Sequence, residues 1–159
     1  MGYRHFDTRK VKPQFPFGFG LSYTTFKYGK ATISEVAGET EGEAGCKEKS
    51  EGCCKAKAPL YKVSLPVSNV GEREGKEVVQ LYIGDDKCSV DRPVKELKGF
   101  QKISLAPGET KTVDFCITLK DLQFYDEATH AWKAEPGKFK AYIGASELDI
   151  RAIVPFTLK

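Results

Sequence analysis

Residues 111–119, KTVDFCITL, alternate between two faces without a break. Val113, Phe115, Ile117 and Leu119 point one way, and Thr112, Asp114, Cys116 and Thr118 the other. A period of two puts every second side chain on one surface of an extended strand, so this stretch predicts a half-buried β-strand. The same pattern returns at 60–70, LYKVSLPVSNV, with Tyr61, Val63, Leu65 and Val67 on one face. It returns again at 149–158, where Ile150, Ala152, Val154, Phe156 and Leu158 align. Residues 26–36 read as a further strand, as does 135–146 after its opening Pro-Gly turn, with Phe139, Ala141 and Ile143 inward. VVQLYI (78–83) is apolar on both faces, as in a central strand covered on both sides. No segment holds a period of 3.6 over three turns.

Turn chemistry separates the strands. Pro-Gly turns stand at 106–110 and 135–137, a charged turn at 71–77 and a loop at 84–93. Pro66 lacks a ladder donor and predicts an edge position or a bulge. Gly99 predicts a bend or bulge within 94–105, and residues 120–134 a tight turn followed by a small hairpin. Residues 37–59 contain no Val, Ile, Leu or aromatic side chain. Such a segment cannot bury enough apolar area to offset its ordering entropy, so it reads as a long flexible loop. About seven short strands with turns between them predict an all-β, immunoglobulin-like sandwich. The expected core is Val63, Leu65, Val67, Val79, Leu81, Ile83, Val113, Phe115, Ile117, Phe139, Ile143, Val154 and Phe156.

Composition excludes several functions. The net charge of +3 and scattered cations argue against nucleic acid. No apolar run approaches the roughly 18 residues of a membrane span, and the polar start carries no signal-peptide core. Five cysteines leave at least one thiol unpaired in the monomer. Cys116 is expected to be simply buried in its strand. Cys46, Cys53 and Cys54 share the 37–59 loop, and their spacing matches no zinc pattern. Asp85, Asp86, Asp126 and Glu127 sit in predicted turns, where carboxylates make local hydrogen bonds, and adjacent turn residues do not flank a sugar. His5 and His130 lack ligand-spaced companions. No catalytic residue, metal ligand or cofactor is expected.

Aromatic residues remain. FPFGFGLSYT (15–24) should not be left in water. Phe15, Phe17, Phe19 and Tyr23 are candidates for an interface, with Pro16, Gly18 and Gly20 turning the chain. Phe124, Tyr125 and Trp132 share a predicted hairpin and are weaker candidates for a sugar-stacking platform; burial over one end of the sandwich is the favoured alternative. Arg92, Lys95, Lys98 and Lys102 read either as a docking edge or as charges guarding an edge strand.

The segments YRHFDT…FPFGFGLSYTTF, VSNVGEREGKEVVQLYI, RPVKELKGFQKISLAPGET and WKAEPGKFKAYIGAS, in this order, resemble the C-terminal fibronectin type III-like domain of family 3 glycoside hydrolases, the β-glucosidases and β-xylosidases. The resemblance spans nearly the whole chain outside 37–59. It implies that residues 1–20 are a linker leading out of an α/β domain and that 21–159 are the fibronectin type III-like domain. It implies a parent enzyme whose barrel and α/β domains carry the catalytic carboxylates upstream, so that this chain is an excised or truncated non-catalytic module. It implies packing against those catalytic domains, with tethering to polysaccharide as the alternative, and a parent that is periplasmic or extracellular. Residues 1–20 are expected to be poorly ordered, to fold back on the sandwich, or to pack against another copy.

Overall fold

The computed structural model describes residues 2–36 and 59–159. Residues 37–58 of the expected flexible loop, with Cys46, Cys53 and Cys54, lie outside these residues, and residue 59 belongs to a strand. A helix α1 (Tyr3–Arg9) is followed by strands β1 (Phe26–Tyr28), β2 (Thr32–Glu35), β3 (Pro59–Asn69), β4 (Gly75–Asp85), β5 (Glu96–Leu105) and β6 (Thr110–Thr118). A short helix α2 (Leu119–Leu122) leads into β7 (Phe124–Asp126), β8 (Ala131–Lys133), β9 (Gly137–Gly144) and β10 (Ile150–Leu158). In one sheet β3 pairs with β6 on one side and with both β1 and β2 on the other. The second sheet has the order β10-β9-β4-β5, and β7-β8 form a separate hairpin. The described strand pairs are antiparallel. This is the all-β sandwich of the fibronectin type III-like kind.

The alternating faces meet between the two sheets. Val63, Leu65 and Val67 of β3, and Val113, Phe115 and Ile117 of β6, pack with Val79, Leu81 and Ile83 of β4 and Phe139 and Ile143 of β9. Phe156 of β10 stacks on Phe139 at 5.6 Å between ring centroids. Each such side chain contributes about 1.5–3 kcal/mol on full burial. Val154 is half-buried at the margin of this core.

Several local expectations change. Pro66 lies in β3, which is central rather than an edge. Its carbonyl accepts the Gly29 amide at 2.8 Å, so its donorless nitrogen faces the same side, the break between β1 and β2, where no ladder partner is needed. The 26–36 strand is therefore two strands. Gly29 sits so close that a Cβ there would lie 2.5 Å from the Pro66 ring. Within the 94–105 stretch Glu96–Leu105 form one strand, with the register shift opposite Leu81 and Tyr82 where Gly99 predicts a bulge. Leu119 does not continue β6. It starts α2, whose first turn is capped by Asp121 accepting from the Thr118 amide and hydroxyl, and it is exposed. Cys116 is not a buried thiol: it is half-buried on the outward face and disulfide-bonded, while Cys88 is free.

Asn69 is fully buried and satisfied in four directions. Its amide donates to the Arg73 and Leu105 carbonyls, and its oxygen accepts from Gly71 N–H and the Thr24 hydroxyl. It joins the β3–β4 turn, the end of β5 and the segment entering β1. Asn69→Leu keeps the volume but leaves buried polar groups without partners, at about 1–3 kcal/mol for such a group. Urea unfolding should show a loss of at least about 2 kcal/mol with an unchanged m-value.

Candidate functional site

The outer face of β4 carries Gln80 and Tyr82, both buried. Their cover is the N-terminal segment 2–20, which folds back on the sandwich. The Tyr3 ring stacks on Phe17 at 4.7 Å and meets Tyr82 edge-on at 6.0 Å. Its hydroxyl oxygen accepts the Leu97 amide at 2.8 Å. Gln80 donates to the carbonyls of Gly18 (3.2 Å) and Ala145 (2.8 Å) and accepts from the Tyr82 hydroxyl. The Glu147 amide donates to the Phe17 carbonyl at 2.9 Å. Gly18 has φ of 77°, and a Cβ there would lie 2.3 Å from the Gln80 side chain. Both the dihedral and the close approach require glycine.

Ion pairs complete the attachment. Lys95 donates to Asp7 of α1 at 2.7 Å and to Glu147 of the β9–β10 loop at 2.9 Å. Glu147 is only 3% exposed and Lys95 7%. Arg4 pairs with Glu96 at 3.0 Å. Burial pushes the Glu96 carboxyl up, but Lys98, Arg4 and Arg92 together outweigh it and hold it below its ordinary value. The sequence leaves open whether Arg92, Lys95 and Lys98 form a docking edge. In the structure Lys95 is buried in the leader attachment, Lys98 pairs with Glu96, and Arg92 bridges Asp85 and Glu96 over the Phe124 ring. Lys102 is exposed.

The side of the leader away from the sandwich is aromatic. Phe15, Phe17 and Phe19 are exposed, with the Phe15 and Phe19 rings 5.5 Å apart. Leu21 and Tyr23 are 91% and 94% exposed. Phe6, Val11 and Leu148 extend the apolar surface. Exposed apolar side chains of this kind mark interaction sites where they form a contiguous patch. Beside it lies a groove of about 510 Å³ lined by Phe19, Leu21, Thr24, Glu77, Asp149 and Arg151, among others. Lys76 also lines it and is exposed, whereas Glu77, Asp149 and Arg151 are engaged with neighbouring groups. Arg151 holds Asp149 through Nε and Nη2, donates to the Phe26 carbonyl, and lies over the Tyr28 ring. The Tyr28 hydroxyl donates to Glu77 at 2.9 Å, and burial raises the Glu77 carboxyl despite that bond and Arg151.

The other candidates are scattered. Phe124 is buried, whereas Tyr125 and Trp132 are exposed with ring planes 71° apart, edge to face rather than coplanar. Asp85 pairs with Arg92, Asp86 with Lys140, and Asp126 accepts from the Ala128 amide and the Thr129 hydroxyl within its own turn. Among the described residues no group of three or more His, Cys, Asp and Glu could hold a metal ion, and no helix is long and apolar enough to cross a membrane.

Comparison with known proteins places this geometry. A fibronectin type III-like domain profile matches residues 77–147. Beta-glucosidase BoGH3A of Bacteroides ovatus is 51% identical over 156 residues, which are 98% of this chain and 19% of that protein. Thermostable beta-glucosidase B of Acetivibrio thermocellus is 42% identical over 150 residues, 94% of this chain and 18% of that protein. Among solved structures, the GH3 beta-glucosidase of Bifidobacterium adolescentis superposes with a TM-score of 0.83 at 30% identity, covering 99% of this chain and 20% of that one. The chain thus spans about a fifth of the length of the relatives it matches. The all-β sandwich carries a fibronectin type III-like domain at residues 77–147 and is similar, along nearly its whole length, to one segment of each of these β-glucosidases.

Proposed function

We propose that the chain is a non-catalytic accessory module of a family 3 β-glucosidase-type enzyme, supporting the catalytic domains by packing against them. The observation that carries this reading is the leader. Its inward side is held to the sandwich by Lys95, Gln80 and Tyr82, so its outward phenylalanines are presented on a firm base. A surface displaying Phe15, Phe17, Phe19, Leu21 and Tyr23 gains free energy by being covered, at roughly 25 cal/mol per Å² of apolar area removed from water. The matched enzymes have four-fifths of their length outside the matched segment, enough to provide the cover.

The test is a graft. This chain replaces the matching segment of BoGH3A, and the graft is compared with one carrying Phe15→Ser and Phe19→Ser; Phe17 is kept because its ring stacks on Tyr3. The serine graft should melt several degrees lower and lose β-glucosidase activity on warming first. The isolated chain with the same two changes should melt within a degree or two of the unchanged chain. Equal melting of the two grafts would remove the packing reading. Oligosaccharide capture through Tyr125 and Trp132 is the second reading, supported by the exposed indole. It requires measurable affinity for cello- or xylo-oligosaccharides that Trp132→Ala abolishes.

A further inference from the structure

Below the aromatic run, between α1 and the β9–β10 loop, lies a separate depression of about 280 Å³. Its apolar lining is Phe6, Val11, Pro13 and Leu148. Lys10 and Lys12 stand at its margin, and Asp7 and Glu147 form part of its wall. The two acids share the single ammonium of Lys95, which leaves one negative charge against Lys10, Lys12 and Arg9, so the depression and its rim stay net positive. Lys10, Lys12 and the neighbouring Arg9 are exposed and have no ion pair among the described residues. The backbone here is fixed: Lys10 has φ of 55°, its amide donates to the Asp7 carbonyl, and the Val11 amide donates to the Phe6 carbonyl.

We propose that this depression is a socket for one apolar side chain flanked by carboxylates, carried by the surface of the enzyme body against which the module packs. The proposal rests on the packing reading above and specifies the chemistry of the partner. An apolar partner alone would strip water from two ammonium groups without compensation, which is unfavourable. Carboxylates beside the inserted side chain convert that cost into complementarity and fix the docking register. A second copy of this chain is the wrong occupant. A two-fold contact through this patch would set Lys10 and Lys12 against their own copies. A flat lipid surface offers no projecting side chain to fill a concave site.

The direct test titrates the isotope-labelled chain with the peptide acetyl-Glu-Leu-Glu-amide, followed by NMR, with acetyl-Lys-Leu-Lys-amide as the control. The acidic peptide should shift Phe6, Lys10, Val11 and Leu148 saturably, with a Kd on the order of millimolar that weakens as salt is raised. The shifts should vanish in Lys10→Glu/Lys12→Glu. Absence of shifts at these residues, equal shifts with the cationic peptide, or binding of phosphatidylserine vesicles in place of the acidic peptide would overturn the proposal. In the BoGH3A graft, Lys10→Glu/Lys12→Glu should lower the melting temperature at low salt while leaving the isolated chain unchanged. A graft weakened by the serine substitutions but indifferent to the lysine reversals sinks the socket and leaves the packing reading standing. A graft indifferent to both sinks the two together. If the graft does not fold, the peptide titration decides.

Discussion

Lys95→Met is expected to destabilise this chain by about 3–5 kcal/mol, because it removes one partner of a buried ionic cluster and leaves the other charges uncompensated. The ammonium of Lys95 is the donor that meets both Asp7 and Glu147, and the Glu147 side chain is almost without solvent. Against a total of roughly 5–15 kcal/mol for a domain, this is a large fraction. The sign of its pH dependence follows from the geometry. Burial pushes the Lys95 ammonium down, but hydrogen bonds to Asp7 and Glu147 outweigh it and hold its pKa above 10.5. A cation raised above its unfolded value stabilises fully below that value, so the contribution is intact at neutral pH and is lost as pH rises through the raised value. In the methionine variant the Glu147 carboxylate is left buried without its ammonium partner, and Lys95→Met/Glu147→Gln should recover a large part of the loss. Urea unfolding at neutral and at strongly alkaline pH measures both effects.

Tyr82→Ala should be nearly as severe, at about 3–5 kcal/mol for a buried ring. Tyr82 has no exposed surface although it lies on the outer face of its sheet, since the leader covers it. Tyr82→Phe keeps the ring and removes only the hydroxyl that Gln80 accepts, so it should cost about 1–3 kcal/mol. The two substitutions also separate in a second readout. The alanine variant should become sensitive to proteolysis within residues 2–20 while the sandwich remains folded, and the phenylalanine variant should not. If both variants unfold globally with no selective cleavage, the ring supports the sandwich itself rather than the leader.

The sandwich was legible because its signal is local. Val113, Phe115 and Ile117, or Val63, Leu65 and Val67, declare their shared face by period alone. The apolar character of VVQLYI on both sides also announced a cover on each face of β4. What the sequence did not reveal is that the second cover is the leader. Helix α1 has seven residues, too few for a helical period to stand out, and its attachment depends on partners far along the chain: Lys95 to Asp7, Gln80 to Gly18, Leu97 to Tyr3. Pro66 misled for a related reason. A proline forbids a ladder bond at one position, and only the three-dimensional break between β1 and β2 shows that none is required there. The aromatic run at 15–23 was conspicuous as a candidate face. Its geometry was not, since the exposure of Phe15 and Phe19 depends on which side of the leader the sandwich holds.

The central claim is that residues 2–20 are a layer of the module, with one side fastened to β4 and the other presented outward. Native-state hydrogen exchange of the isolated chain tests it most directly. The amides of Leu97, Val11 and Glu147 donate to Tyr3, Phe6 and Phe17 respectively. If the leader is a layer, these amides exchange many orders of magnitude more slowly than in an unstructured peptide, and the leader opens with a free energy of several kcal/mol. Exchange of the Val11 and Glu147 amides at the rate of an unstructured peptide, beside a protected β4, would contradict the account.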